Sequence, residues 1–496
     1  MKTSDSNTAE RVEREDMVMF INACFACTGQ KEFYSDGRGQ GVSIDFLHEY
    51  ILGNYRRLYA RCLAAGINHF NKGHVITNLL ASGQLTPKAQ REEEGALIFA
   101  ALRALPTQRA YRVLESLRAR KINNRRSRAI ARRFLSERDD LAFEALKYRN
   151  KLRATTTHAH LALPGELGKF LFRGWQRQRF ETPLFEKFRQ AHYAKEAIYE
   201  LPYTIAEGFA AKHEIPRDEF LARIEARMTI EEKLRLQQTA KRETTTLDMD
   251  LGRVGLTRLA IYLLALPVSE RVKSGTVIEA AFQQASLRAL RRVPRRLGRV
   301  AAILDRSFSS SGSSEKRRRP LAVAWAASQL LKAASKEYRA FWTPRLDAEL
   351  QLVAQGQSDL GTPLLEALEW GADLILIVSD GFENDPPHGA AEVARVFKNR
   401  LDPHRKTSIV HLNPVFDAEH YAPRTIGAAI PTVGLRDAED LLTMLGFARF
   451  ADGSAPLLEL EDYLAERVKQ MLRPRAKSAA NLSRSETDEA LEAVSR

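Results

Sequence analysis

From about residue 16 to residue 295 the apolar positions recur at steps of three and four, with short polar breaks and hardly any strand-like alternation. In YILGNYRRLYARCLAA, Ile51, Tyr55, Leu58 and Cys62 step by four, three and four, which sets them on one face of a helix. In EEEGALIFAALRALPTQRAYRVLESLRAR one apolar helix stops at Pro106 and Thr107, and a second restarts with Tyr111, Val113, Leu114 and Leu117. The same rhythm runs through GLTRLAIYLLALP and VIEAAFQQASLRALRRVP, each ending near a proline. No fixed period emerges. The pattern predicts a degenerate stack of helical hairpins, HEAT-like in form, with a large curved surface.

After Pro294 the pattern changes. Short apolar runs alternate with helical stretches: VAAILD (300–305), a helix over 320–334, YRAFWT (338–343), a helix over 362–370, LILIVSD (374–380), a helix over 389–400 and SIVHLN (408–413). A short strand near 428–433 and helices over 437–446 and 457–472 complete the series. Strands alternating with helices predict a mostly parallel sheet covered on both faces, a doubly wound α/β domain. The expected organisation is a disordered polar N-terminus (1–15), a helical repeat domain (16–295), an α/β domain (296–472) and a flexible C-terminal tail (473–496).

Composition sharpens this division. At 496 residues, with 44% hydrophobic and 28% charged residues, the chain has the make-up of a folded protein of more than one domain. Its net charge of +14 is unevenly spread: Lys and Arg against Asp and Glu number 52 and 34 over 1–299, but 19 and 24 over 300–472. The excess belongs to the helical part, as expected of a polyanion-binding module joined to a different one. Three cysteines, Cys24, Cys27 and Cys62, cannot form a disulfide framework, and Cys24-x-x-Cys27 lacks a second pair at zinc spacing, so buried thiols are expected. The polar, acidic start has no apolar signal core and no run is long enough for a membrane span, so a cytoplasmic location without membrane contact is expected.

The candidate chemistry lies at the ends of two predicted strands. Asp305 closes the first, Ser307 and Ser309 follow at alternate positions, and Asp380 closes LILIVSD; between them Thr362 stands at a helix start after a glycine. In a doubly wound sheet these ends share one rim. The set offers only hard oxygens, without thiolate or imidazole, which suits Mg²⁺ or another divalent cation. Capping of helices by the same residue types is the plainer alternative. Asp305-Arg306-Ser307-Phe308-Ser309, Gly361-Thr362-Pro363 and Ser379-Asp380-Gly381 together resemble the metal-ion-dependent adhesion site of von Willebrand factor A domains. The resemblance implies that Ser307, Ser309 and Thr362 contact the metal through hydroxyls and that Asp305 and Asp380 act partly through water. It leaves one position for a partner's carboxylate. Lys316 to Arg319 lie just beyond and would either repel the cation or attract an anionic ligand. No Walker loop, dinucleotide fingerprint or triad order occurs, and His158-Ala-His160 reads as a solvated or packed pair on a strand, so no enzymatic activity is expected.

RARKINNRRSRAIARR (118–133) carries eight basic residues in sixteen and no acid. As one helix it would align Arg118, Lys121, Arg125, Arg128 and Arg132 on a face, with Arg120, Arg126 and Arg133 beside them. Repulsion within such a face is relieved by a phosphate backbone, although a charge run is ordinarily a solvated surface. KYRNKLRATTTHAH adds Lys147, Arg149, Lys151 and Arg153 beside Tyr148, a mixture suited to single-stranded RNA. A further basic cluster, Arg288 to Arg299, leads into the first strand. The junction VIEAAFQQASLRALRRVPRRLGRVAAILDRSFS and the block LGRVGLTRLAIYLLAL resemble the TROVE module and A domain of Ro-type RNP proteins. That likeness implies a helical ring closed by the A domain and binding small non-coding, Y-type RNA; Ser310 and Phe308 depart from its usual Met and Gly. The two expected functions are therefore a non-enzymatic RNA-binding scaffold and, as the alternative, a metal-dependent adaptor that captures an acidic residue of a protein partner such as an ATPase.

Overall fold

The computed structural model of the chain describes residues 2–172, 179–242, 247–291, 296–453 and 455–473. Among these, helices fill the chain from Lys2 to Leu290. A five-stranded parallel sheet follows: β1 (Leu297–Asp305), β2 (Ser335–Thr343), β3 (Leu374–Val378), β4 (Ser408–Asn413) and β5 (Thr432–Gly434). The strand order is β2-β1-β3-β4-β5, so the chain reverses its direction of growth between β1 and β3. The architecture is the expected one, a helical array followed by an α/β domain.

Alternation along β1 divides the interior into two cores. Val300, Ala302 and Leu304 enter a large core shared with the helical region, while Ala301 and Ile303 face a second core built with Leu364, Ala367, Ala390 and Ala394. The Gly361–Glu369 and Gly389–Val396 helices cover the second face. On the first face lies the Arg319–Ala334 helix, buried on almost every side, because the Leu256–Ala265 and Gly275–Leu290 helices pack on its outer surface. An all-round apolar sequence such as PLAVAWAASQLL suits that middle layer.

The other end of the helical array reaches the same domain. The Lys2–Ala26 helix packs on β5 and on the Leu457–Leu472 helix, which also contacts the Arg91–Ala104 helix. Asn22 acts there as an edge strand would: its Nδ2 donates to Thr432 O at 2.8 Å and its Oδ1 accepts from Gly434 N at 2.5 Å. A Cβ at residue 434 would stand 2.7 Å from Asn22 O, which is why glycine occupies this contact. With both ends of the array seated on one α/β domain, the chain closes on itself.

Several sequence expectations are corrected. The polar segment expected to be disordered through residue 15 belongs to the Lys2–Ala26 helix; Arg14 donates to Ala455 O at 3.3 Å, and Asp16 accepts from Tyr50 and Tyr55 at 2.8 and 2.9 Å. Tertiary anchors, invisible to periodicity, hold it. The strand placed near 428–433 is shorter, since only Thr432–Gly434 pairs with β4. Beyond Val396 the helix ends in a wider turn, Phe397–Leu401. Residues 118–133 are not one helix: Thr107–Ala119 ends, Lys121 adopts φ +56°, and Asn124 caps the Arg125–Ser136 helix by accepting from Ser127 N at 2.9 Å. The tail expected beyond 473, and Arg292 and Arg295, lie outside the described residues. Cys24, Cys27 and Cys62 are free, buried thiols.

Two outcomes follow from the packing. Asn22→Ala leaves Thr432 O and Gly434 N without their side-chain partner, at a cost of about 1–3 kcal/mol for each buried group left unpaired, so the denaturant midpoint falls; unchanged unfolding contradicts the edge role. His48, between Tyr59 and Asn71, and His411, between Ser379 and Thr432, are held neutral by burial, their pKa values pushed down to about 3 and about 4. Their contribution is complete above the ordinary imidazole value and is lost as pH falls from there toward those folded values. Buried acids such as Asp440, raised to about 6 by burial, act in the opposite sense, so the test is differential: His411→Gln flattens the decline in unfolding midpoint between about pH 7 and about pH 5 relative to the parent.

Candidate metal centre and basic surface

The reversal between β1 and β3 opens a crevice at the carboxyl edge of the sheet, and Asp305 and Asp380 stand on its two sides. Asp305 ends β1 and is held by Ser307 N, which donates to its Oδ1 at 2.7 Å, and by Ser358 Oγ, which donates to its Oδ2 at 2.9 Å. The Ser307 and Ser309 hydroxyls lie 3.2 Å apart, and Ser309 also faces the Asp380 carboxylate. Phe382 N donates to Asp380 Oδ1 at 3.0 Å. Gly381 makes this turn with φ +82°, where a Cβ would come within 2.7 Å of Arg424 O. Asp305, Ser307, Ser309 and Asp380 expose only 3, 3, 7 and 5% of their surface.

Arg306, the residue between the first two donors, fixes the loop. Its buried guanidinium donates to Pro344 O, Val353 O and Arg345 O at 2.8, 3.1 and 2.7 Å. Burial and then the charge of Asp380 raise the pKa of Asp305; burial chiefly raises that of Asp380. Two carboxyls buried side by side, with Arg424 the partial counter-charge to Asp380, form a site that a divalent cation would neutralise.

Thr362 is not brought into this cluster. It is exposed in the first turn of the Gly361–Glu369 helix, its N–H bonded to Asp359 Oδ1 at 2.9 Å, and it lines a separate cleft of about 660 Å³ with Thr343, Asp359 and Asp385. The hydroxyl that meets Asp305 comes from Ser358, four residues earlier, in the loop rather than in the helix. A serine followed by the helix-capping Asp359 was the available signal. Lys316 neither repels nor recruits at the site, being buried in an ion pair with Glu32.

The predicted RNA-contacting residues separate into two groups. Arg126 is paired with Glu94 at 2.5 Å, Arg133 with Glu137 at 2.9 Å, Lys147 with Glu232 at 3.7 Å and Lys151 with Glu115 at 2.8 Å. Arg149 lies over the Phe170 ring and donates to Phe170 O at 3.4 Å. Arg120 is exposed and donates to Asn78 Oδ1 at 2.7 Å. Arg118, Lys121, Arg125, Arg128, Arg132 and Arg153 are exposed and make no ion pair among the described residues. The break at 120–124 places the first five around a helix–turn–helix corner, not along one face. Next to it, the Thr107–Ala119 and His69–Ala81 helices border a cleft of about 510 Å³ lined by Arg109, Arg112, Arg120, His69 and His74, with Asp45 and Glu49 opposite. His158 ends the Arg149–His158 helix and bonds Ile122 O at 3.0 Å, and so is not on a strand. In the basic cluster that leads into β1, Arg288 donates to Val254 O, and Arg299, within the strand, pairs with Glu337. No described helix is long and apolar enough to cross a membrane.

No family model matches the chain, and no curated protein matches it. Among solved structures it is similar to the crystal structure of Deinococcus radiodurans RO (RSR) protein, at 15% sequence identity and a TM-score of 0.45, over 89% of this chain and 100% of that one.

Proposed function

We propose that this chain is an RNA-binding scaffold of the Ro type its sequence resembles, non-enzymatic, with an α/β domain that carries a Mg²⁺ site. The observation that carries the RNA reading is the corner formed by Arg118, Lys121, Arg125, Arg128 and Arg132, exposed and without acidic partners among the described residues. Of the other basic groups of the predicted set, Arg126, Arg133, Lys147 and Lys151 are matched to carboxylates. A corner of unmatched cations repels itself and is relieved by a phosphate backbone, and small structured RNA presents such a backbone in the compact form that a curved helical surface accommodates. Arg126 and Arg133, paired with Glu94 and Glu137, act in folding instead.

For the metal, the donor set that supports Mg²⁺ is Asp305, Ser307, Ser309, Asp380 and Ser358, two carboxylates and three hydroxyls, oxygens throughout. Bound there, the ion would supply a positive charge and an open coordination position. The residues of the chain would orient it: Arg306 fixes the loop, Ser358 aims Asp305, and Gly381 turns Asp380 inward. The adaptor reading is favoured by one feature, the 64% exposure of Phe308 beside the donors, which suits contact with a protein partner that offers a carboxylate. A pull-down separates the readings, since capture that nuclease removes supports RNA and capture that EDTA removes supports the adaptor.

The charge-reversal variant Arg125→Glu/Arg128→Glu/Arg132→Glu is expected to weaken binding of small structured RNA strongly and to flatten its dependence on salt, by about one unit of slope for each phosphate no longer engaged. Equal affinity and slope in parent and variant would discard this surface. For the metal, Mg²⁺ is expected to raise the melting temperature of the parent and of Thr362→Ala, and to do so much less for Ser358→Ala. Asp380→Asn should melt no lower than the parent in EDTA, because it relieves the pairing of two buried acids, yet lose the Mg²⁺-induced rise. A parent whose melting ignores Mg²⁺ and Mn²⁺ contradicts the site.

A further inference from the structure

Two aromatic side chains flank the oxygen cluster, and each lies within two residues of a donor in sequence. Phe308 stands between Ser307 and Ser309, and Phe382 follows Asp380 by two. The loop that leads from the Lys2–Ala26 helix to the Gly37–Asn54 helix lays a consecutive aromatic pair on them. Phe33 meets Phe308 edge-on, with ring centroids 5.9 Å apart, and Tyr34 packs on Phe382 at 4.2 Å. The Tyr34 phenol faces the Ser309 hydroxyl and the Asp380 carboxylate. One short loop from the far end of the chain thus touches both segments of the candidate metal centre.

The base of that loop is anchored separately. Glu32 and Lys316 form an ion pair with both side chains almost wholly buried, Ser313 Oγ donates to Lys31 O at 2.6 Å, and Lys31 N donates to Glu315 Oε2 at 3.0 Å. Breaking a buried pair by removing one partner is strongly destabilising, whereas an individual aromatic contact is weak. The loop therefore has a fixed root and a tip that can be lifted. At the tip Tyr34 remains 52% exposed, although the five donors beneath expose less than a tenth of their surface. A small cavity of about 150 Å³, lined by Tyr34, Asp380, Phe382 and Arg424 among others, is left beside the ring.

Resting on the reading of this cluster as a metal site, we infer that the Phe33–Tyr34 pair is a built-in cap over it: Tyr34 is not one of the donors, and its phenol stands in the approach an outside carboxylate would take. The helical layer and a partner then compete for one position, and a partner that reaches the metal must lift the tip while the Glu32–Lys316 root stays in place. No feature of a strand-end metal motif by itself requires such a cap. It arises because the first helices of the chain return to the sheet on which the motif sits.

Terbium, a hard trivalent stand-in that emits when a nearby tyrosine is excited, tests this on the full chain. Bound terbium is counted by equilibrium dialysis, and the site's share is the part that disappears in Asp380→Asn. Tyrosine-sensitised emission from that share is expected to be mostly abolished in Tyr34→Phe while the amount bound stays the same, and acetate is expected to bind the terbium-loaded Tyr34→Ala several-fold more tightly than the loaded parent. If no terbium is bound in an Asp380-dependent way, the metal reading fails and the cap with it. If terbium is bound but emission in Tyr34→Phe matches the parent, or acetate affinity is unchanged in Tyr34→Ala, the cap alone is overturned.

Discussion

Burial of Asp305 and Asp380 against each other is the constraint around which the α/β domain is arranged. Two like charges in a water-poor crevice oppose ionisation, and the fold accepts that arrangement by over-determining it. Arg306 commits its guanidinium to three loop carbonyls, Ser307 N and Ser358 Oγ hold both oxygens of Asp305, and Gly381 allows the turn that aims Asp380. The topology supplies the place: β1 and β3 are neighbours in the sheet while the connections that follow them leave in opposite directions. Side chains at two strand ends, distant in sequence, are thereby confronted.

The second organising feature is that one face of this sheet is not a surface. The Arg319–Ala334 helix lies between the sheet and the Leu256–Ala265 and Gly275–Leu290 helices, and the first helix of the chain finishes the β5 edge through Asn22. Core and interface are continuous there, so helical array and α/β domain are parts of one folded body. The basic corner and the oxygen cluster are consequently held on a single frame. The loop bearing Tyr34 is an outcome of the same closure, because the turn between the first two long helices comes to rest on the oxygen cluster.

Legibility in the sequence follows the range of the forces involved. The succession of helices, the change of pattern after Pro294, and the strands VAAILD, LILIVSD and SIVHLN are set by local periodicity, which steric rules of backbone and side chain impose within a few residues. The juxtaposition of Asp305 with Asp380 could be anticipated too, since the strand-end rule for doubly wound sheets converts order along the chain into position. The apolar character of PLAVAWAASQLL announced burial, though not what buries it.

The remainder depended on contacts that no local pattern encodes. Thr362 and Ser358 are equivalent as hydroxyls in sequence; the helix that begins at Gly361 carries the first outward and leaves the second in the loop beside Asp305. The basic segment 118–133 divides because Asn124 caps a new helix, and which of its cations remain unmatched depends on acids such as Glu94 and Glu137 brought near by packing. Sequence alone therefore determined the kinds of element, their order and the chemistry at the strand ends, for these are fixed by short-range sterics and a general rule of sheet topology. The tertiary structure alone decided which oxygens converge, which charges stay free and that Phe33 and Tyr34 meet the segments of Phe308 and Phe382, because those pairings are selected by the closing of the whole chain on one shared core.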